Sequence, residues 1–180
     1  MRWTLLTGAV LLAGCGTVAR EPPQLRDPAE PQQAVLSWRE SYGEGAERLR
    51  FEVATLVVRE DGWSTEVAIE NATDIPFELG KRPLAFRFGL MLFADGLQET
   101  LDEANRAGAL PALREAVTIE PPPPDVLEPG ARWEATLAAP GRLADGSYAR
   151  VVLGTLVAAG EPPGEMQPTV IWITDHSHRL

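Results

Sequence analysis

From Leu49 onward, apolar residues recur at nearly every second position, the period of a β-strand with one buried and one wet face. Leu49, Phe51 and Val53 alternate with Arg50 and Glu52, and Leu56-Val57-Val58 runs into the turn Glu60-Asp61-Gly62. Trp63, Thr65, Val67 and Ile69 alternate with Ser64, Glu66, Ala68 and Glu70. Asn71-Ala72-Thr73-Asp74 then supplies a turn, because Asn and Asp tolerate the left-handed conformation and bond their own backbone. Ile75, Phe77 and Leu79 form a short strand, which Pro76 places at a sheet edge. Leu84, Phe86, Phe88, Leu90 and Leu92 alternate again up to Asp95-Gly96.

The pattern changes once. Leu97, Leu101 and Ala104 fall on one helical face, Thr100 or Gln98 is placed to cap and Gly108 to stop, so Leu97–Ala107 reads as a short helix inserted between strands. Val117 and Ile119 make a brief strand, Pro121 to Pro124 a stiff extended segment, and Leu127-Glu128-Pro129-Gly130 a turn. Strands follow at Trp133–Leu137, at Ser147–Val157 (the most apolar) and at Thr169–Thr174. Seven to eight short strands, with 16 glycines and 16 prolines as punctuation, predict an all-β antiparallel sandwich over 49–180.

Upstream of the strands the composition differs. Gly16 to Pro31 holds Glu21-Pro22-Pro23, Asp27-Pro28 and Glu30-Pro31 and few large apolar groups, so it reads as an extended tether. Over Gln32–Tyr42, Pro31 is placed to open a short helix carrying Val35, Trp38 and Tyr42 on one side, with Gly43 closing it.

The first fourteen residues have the layout of an export signal: Arg2, an apolar centre from Trp3 to Leu12, then the small residues Ala13 and Gly14. The apolar run is too short to span a bilayer, which takes ~20 residues. Leu12-Ala13-Gly14-Cys15 resembles the lipobox of bacterial lipoproteins, and Cys15 is the only cysteine. The resemblance implies a diacylglycerol thioether on Cys15, cleavage before it, and further acylation such as palmitate. The mature chain then begins at Cys15, with 15–48 as lipidated tether and possible short helix, facing outward from the membrane. Two or three acyl chains anchor stably, each buried CH₂ contributing ~0.8 kcal/mol.

Charge and cysteine count exclude several functions. The chain has 16 basic and 26 acidic residues, a net charge of −10, which opposes nucleic-acid binding and docking on anionic headgroups. With Cys15 acylated, no thiol remains for disulfides, thiolate metal sites or nucleophilic catalysis.

Three pieces resemble the BsuPI-type proteinase-inhibitor domains and related immunoglobulin-like domains of bacterial envelope proteins. They are Ile69-Glu70-Asn71-Ala72-Thr73-Asp74-Ile75-Pro76-Phe77, Leu127-Glu128-Pro129-Gly130-Ala131-Arg132-Trp133 and Leu143-Ala144-Asp145-Gly146-Ser147-Tyr148. The resemblance implies an immunoglobulin-like sandwich and, as one functional alternative, proteinase inhibition; no inhibitory residue carries over. Tyr148 sits where a tyrosine corner ties its phenol to the preceding loop; the other reading is an ordinary half-exposed tyrosine.

Catalytic constellations are sparse. The only histidines are His176 and His178, after Asp175; if the strand continues, residues two apart face one way, and two imidazoles with a carboxylate suit zinc or copper. The competing reading is a frayed tail. No Gly-x-Ser-x-Gly, Ser-x-x-Lys, phosphate loop or calcium loop is present, so no enzyme or cofactor is expected. Trp63, Trp133 and Trp172 sit in strand patterns, as core rather than a ligand cage. Leu97–Leu113 is either a loop for an envelope protein partner or a lid over one open end of the core.

Overall fold

A computed structural model describes residues 27–79 and 88–180. The leader, Cys15, residues 16–26 of the tether and the Leu84–Phe86 positions lie outside the described residues. The remainder is an all-β sandwich of two antiparallel sheets with one helix.

The first sheet contains β1 (Gln32–Glu44), β2 (Glu47–Val58), β3 (Gly62–Asn71), β9 (Arg132–Pro140) and β7 (Thr118–Glu120), in that spatial order. The second contains β6 (Arg114–Glu115), β5 (Phe88–Phe93), β10 (Tyr148–Ala158), β4 (Phe77–Leu79) and β8 (Val126–Leu127), with β11 (Thr169–Ile173) and β12 (His178–Arg179) also on β10. The twelve strands among the described residues exceed the predicted seven to eight because β1 replaces the expected helix and β6, β8 and β12 are two-residue pieces below any sequence period. Pro76 is not at an edge: β4 lies between β10 and β8, and Pro76 precedes the ladder, where its missing N–H costs nothing.

Gln32–Tyr42 is a strand, not a helix. Ala34, Leu36, Trp38, Glu40 and Tyr42 turn half-buried toward the core while the odd positions face water, Val35 at 77% exposure. A glutamate among the inward positions breaks the apolar alternation and lets Val35, Trp38 and Tyr42 mimic a helical stripe. Nor is the tether free as far as Pro31. Ala29 is buried, its N–H donates to Leu143 O at 2.8 Å, and Asp145 N–H donates to Asp27 O at 2.7 Å.

In β2 the buried set changes parity, from Leu49, Phe51 and Val53 to Leu56 and Val58. Ala54 is the extra residue: Val53 pairs with Val67 and Thr55 with Glu66, so Ala54 bulges and resets the inward face. The main core is filled by Phe51, Leu56, Trp63, Ile69 and Leu137 from one sheet and Phe77, Leu90, Val151, Leu153 and Leu156 from the other. Trp63 and Trp133 are core residues, and Trp172 stacks on Phe51 at 4.5 Å.

Asn71 ties two of the turns together. It is fully buried and uses both amide hydrogens, on Ile75 O at 2.8 Å and Leu127 O at 2.9 Å, while its Oδ1 accepts from Thr73 N and Thr73 Oγ1. We expect Asn71→Ala to cost on the order of 2–3 kcal/mol by urea unfolding, because it strands buried carbonyls as well as removing bonds. Asn71→Asp should fail similarly, since a carboxylate supplies no donor.

Helix α1 (Gln98–Arg106) forms where predicted, with Leu97 rather than Gln98 or Thr100 at the cap position. Leu101, Ala104, Leu110 and Leu113 pack on Met91, Phe93 and Val152. The insertion therefore covers the outer face of the second sheet, not an open end of the core. Ser147, not Tyr148, ties its loop back, donating to Ala144 O, while the Tyr148 ring lies beside Gly96.

Candidate functional site

The chemistry-bearing side chains gather on the flank where the segment after β11 passes between β1 and α1. Thr174 starts that segment and is buried. Its N–H donates to Val151 O, and its hydroxyl accepts from Val151 N and donates to His176 O. A bend at Asp175 breaks the strand, so Asp175, His176 and His178 do not share a face. The end of the chain is docked rather than frayed: β12 pairs with Tyr148 and Ala149, and Leu180 is buried.

Each metal candidate has a separate engagement. Asp175 Oδ1 accepts from Gln98 Nε2 at 3.2 Å. His176 Nδ1 lies 2.7 Å from Glu40 Oε1, and its ring stacks on Trp38. His178 Nε2 lies 3.0 Å from Gln32 Oε1. Among the described residues no three His, Cys, Asp or Glu side chains converge as a metal site.

Glu40 holds this flank together. Its side chain is 6% exposed and accepts from Trp172 Nε1 at 2.8 Å and from His176 N at 3.0 Å, besides facing the His176 ring. The His176 side chain is 54% exposed, so a buried carboxylate orients an accessible imidazole. That arrangement is half of a general-base relay; no hydroxyl or thiol among the described residues bonds the ring to complete it.

Beneath α1 lies Arg150, 0% exposed, on the outward side of β10. Its guanidinium donates to Thr174 O at 2.7 Å, Leu97 O at 3.0 Å, Gly96 O and Gln98 Oε1 at 3.2 Å, and Asp175 O, and it lies over the Phe93 ring. Burial lowers its pKa, opposed by Asp175, Glu40, Asp102 and Asp95. Asp175, open to solvent on its outer side, is raised above the usual carboxylate range by the protein packed beneath it and then by Glu40. Sequence reasoning missed both Arg150 and Glu40. The available signals were a lone charge in the most apolar strand and an acid on the inward register of β1.

Between α1 and β11 runs an open groove of about 370 Å³, lined by Leu101, Asp102, Leu110, Ile171, Ile173 and Asp175 among others. On the far face of the first sheet, Arg132 bonds Glu52 at 2.7 Å and Glu134 at 2.6 Å. The Arg132 bond draws Glu52 below its ordinary value.

Burial depresses His178 below its ordinary value of 6.5. The unfolded chain therefore takes up a proton that the folded one refuses, so stability is whole above about pH 6.5 and falls as pH drops through it. We expect the urea midpoint to decline between pH 7 and 6, and His178→Gln to flatten that decline.

No protein-family model, no curated protein and no solved structure matches the chain.

Proposed function

We propose that the protein is a lipid-anchored component of a bacterial cell envelope, whose non-catalytic β-sandwich faces away from the cytoplasm and binds or supports another envelope component. The observation that carries this is Leu12-Ala13-Gly14-Cys15 behind Arg2 and a short apolar run, with Cys15 the sole cysteine. The body supports it by standing on its own core, with no second cysteine available for a disulfide. Among the described residues no helix is long and apolar enough to cross a membrane. Docking of the chain at Asp27 leaves only residues 16–26 between Cys15 and the sandwich, a reach of about 40 Å at most when fully extended.

Metabolic labelling tests the anchor. Full-length protein made in bacteria with radiolabelled palmitate should carry the label and lose residues 1–14, and Cys15→Ser should abolish both changes. A free thiol and an intact Met1 on protein from the native host would overturn the proposal.

A further inference from the structure

We infer that the groove between α1 and β11 is a docking site for an extended peptide, which adds to the β11 edge as a further strand and lays a lysine or arginine against Asp102 and Asp175. The inference deepens the reading of the sandwich as a binding module and is independent of its anchor.

The backbone geometry comes first. β10 is flanked on both edges: Val152 pairs with Gly89 on one side and Ile173 on the other, and Leu156 pairs with Leu79 and Val170. β11 therefore has β10 on one edge and, among the described residues, no strand on the other. An unpaired edge presents N–H and C=O groups at strand spacing, the basis of recognition by strand addition. The free edge of β1 is less suited. Leu36 and Ser37 form a bulge opposite Ala54, with Ser37 at φ 51°, and bulges spoil an edge for pairing. The irregularity beside β11 lies in β10, where Leu153 and Gly154 oppose Trp172, so β11 keeps an uninterrupted register.

The side chains then select the occupant. Ile171 is 42% exposed and shares the groove with Leu101 and Leu110, which gives apolar contacts to alternate residues of an added strand. None of the residues lining the groove is basic. Four carboxylates, of Asp175, Glu40, Asp102 and Asp95, lie within electrostatic reach of one guanidinium, that of Arg150, whose donors are directed at Gln98 and backbone oxygens. The excess is negative and partly desolvated, and the raised Asp175 carboxyl reports the same strain. A cationic side chain relieves it, and an anionic lipid surface or acidic peptide adds to it.

The test uses two synthetic eight-residue peptides, alternating Val-Lys and alternating Val-Glu, with hydrogen–deuterium exchange on the full-length protein. The basic peptide should slow exchange at 169–173, and Asp102→Lys, on the exposed side of α1, should weaken its binding by at least about tenfold. No slowing there, slowing at 32–44 instead, an equal response to the acidic peptide or an unchanged affinity in Asp102→Lys each overturns the inference. Acylation of Cys15 is read by labelling, so either conclusion can fail without the other.

Discussion

Replacing Arg150 with alanine is expected to destabilise the fold by on the order of 3–5 kcal/mol, the range for breaking a buried, hydrogen-bonded charge network from one side. Its guanidinium is the common partner of the Gly96–Gln98 loop and the Thr174–Asp175 backbone, two segments far apart in sequence. Removal leaves those carbonyls facing an apolar cavity beside Met91, Phe93 and Leu101. It also takes away the guanidinium that lies within electrostatic reach of Asp175, Asp102 and Asp95. Lysine keeps the charge but offers three donors from one point, so Arg150→Lys should recover only part of the loss. Urea unfolding gives the magnitude. Hydrogen exchange gives the location: protection should drop first at 96–98 and 174–180. Uniform loss of protection with a cost below ~1 kcal/mol would show that the guanidinium does not join these segments.

The second large effect is at Gly154. Its φ is +77°, and a Cβ there would come within 2.9 Å of the Phe88 ring. Alanine meets both obstacles at once: left-handed backbone costs ~1–2 kcal/mol for a residue with a Cβ, and an overpacked core costs ~1–3. The ring has little room to yield, since Phe88 is buried and lies 5.1 Å from the Trp133 ring. Gly154→Ala should therefore lose about 2–4 kcal/mol, measured by urea midpoint. A double mutant separates the causes. If the clash dominates, adding Phe88→Leu recovers part of the loss; if the backbone dominates, the two costs simply add.

The sandwich was legible because most strands alternate cleanly and are bounded by Gly, Pro, Asn or Asp turns. β3 shows this best: Trp63, Thr65, Val67, Ile69 and Asn71 all turn inward, as their spacing predicts. The helix was legible for the same reason, a change of period at Leu97. β1 was not, because Glu40 occupies an inward register position that a period count scores as surface. The reason for its burial, Trp172 and His176, lies more than 130 residues away in the chain. The flank was hidden for a related reason. Asp175, His176 and His178 are conspicuous as residue types, but a bend and three unrelated partners disperse them. Arg150 came from a strand read only as apolar, and its partners are backbone oxygens, which leave no trace in side-chain identity.

The single unpaired residue in β2 has a consequence for how this gene can change. Ala54 acts as a phase correction: before it the odd-numbered residues face the core, and after it the even-numbered ones do. Deleting that one codon would close the bulge without turning any side chain over: Thr55 would follow Val53 on the outward side, and Leu56 and Val58 would stay inward opposite Thr65 and Trp63. Ordinary substitutions there should pass almost unnoticed, since Ala54 is exposed. The position is thus tolerant of identity and, on the β3 side, of length, and the cost of a deletion falls on β1, whose Leu36 and Ser37 lie opposite Ala54 and would lose the residue they bulge around.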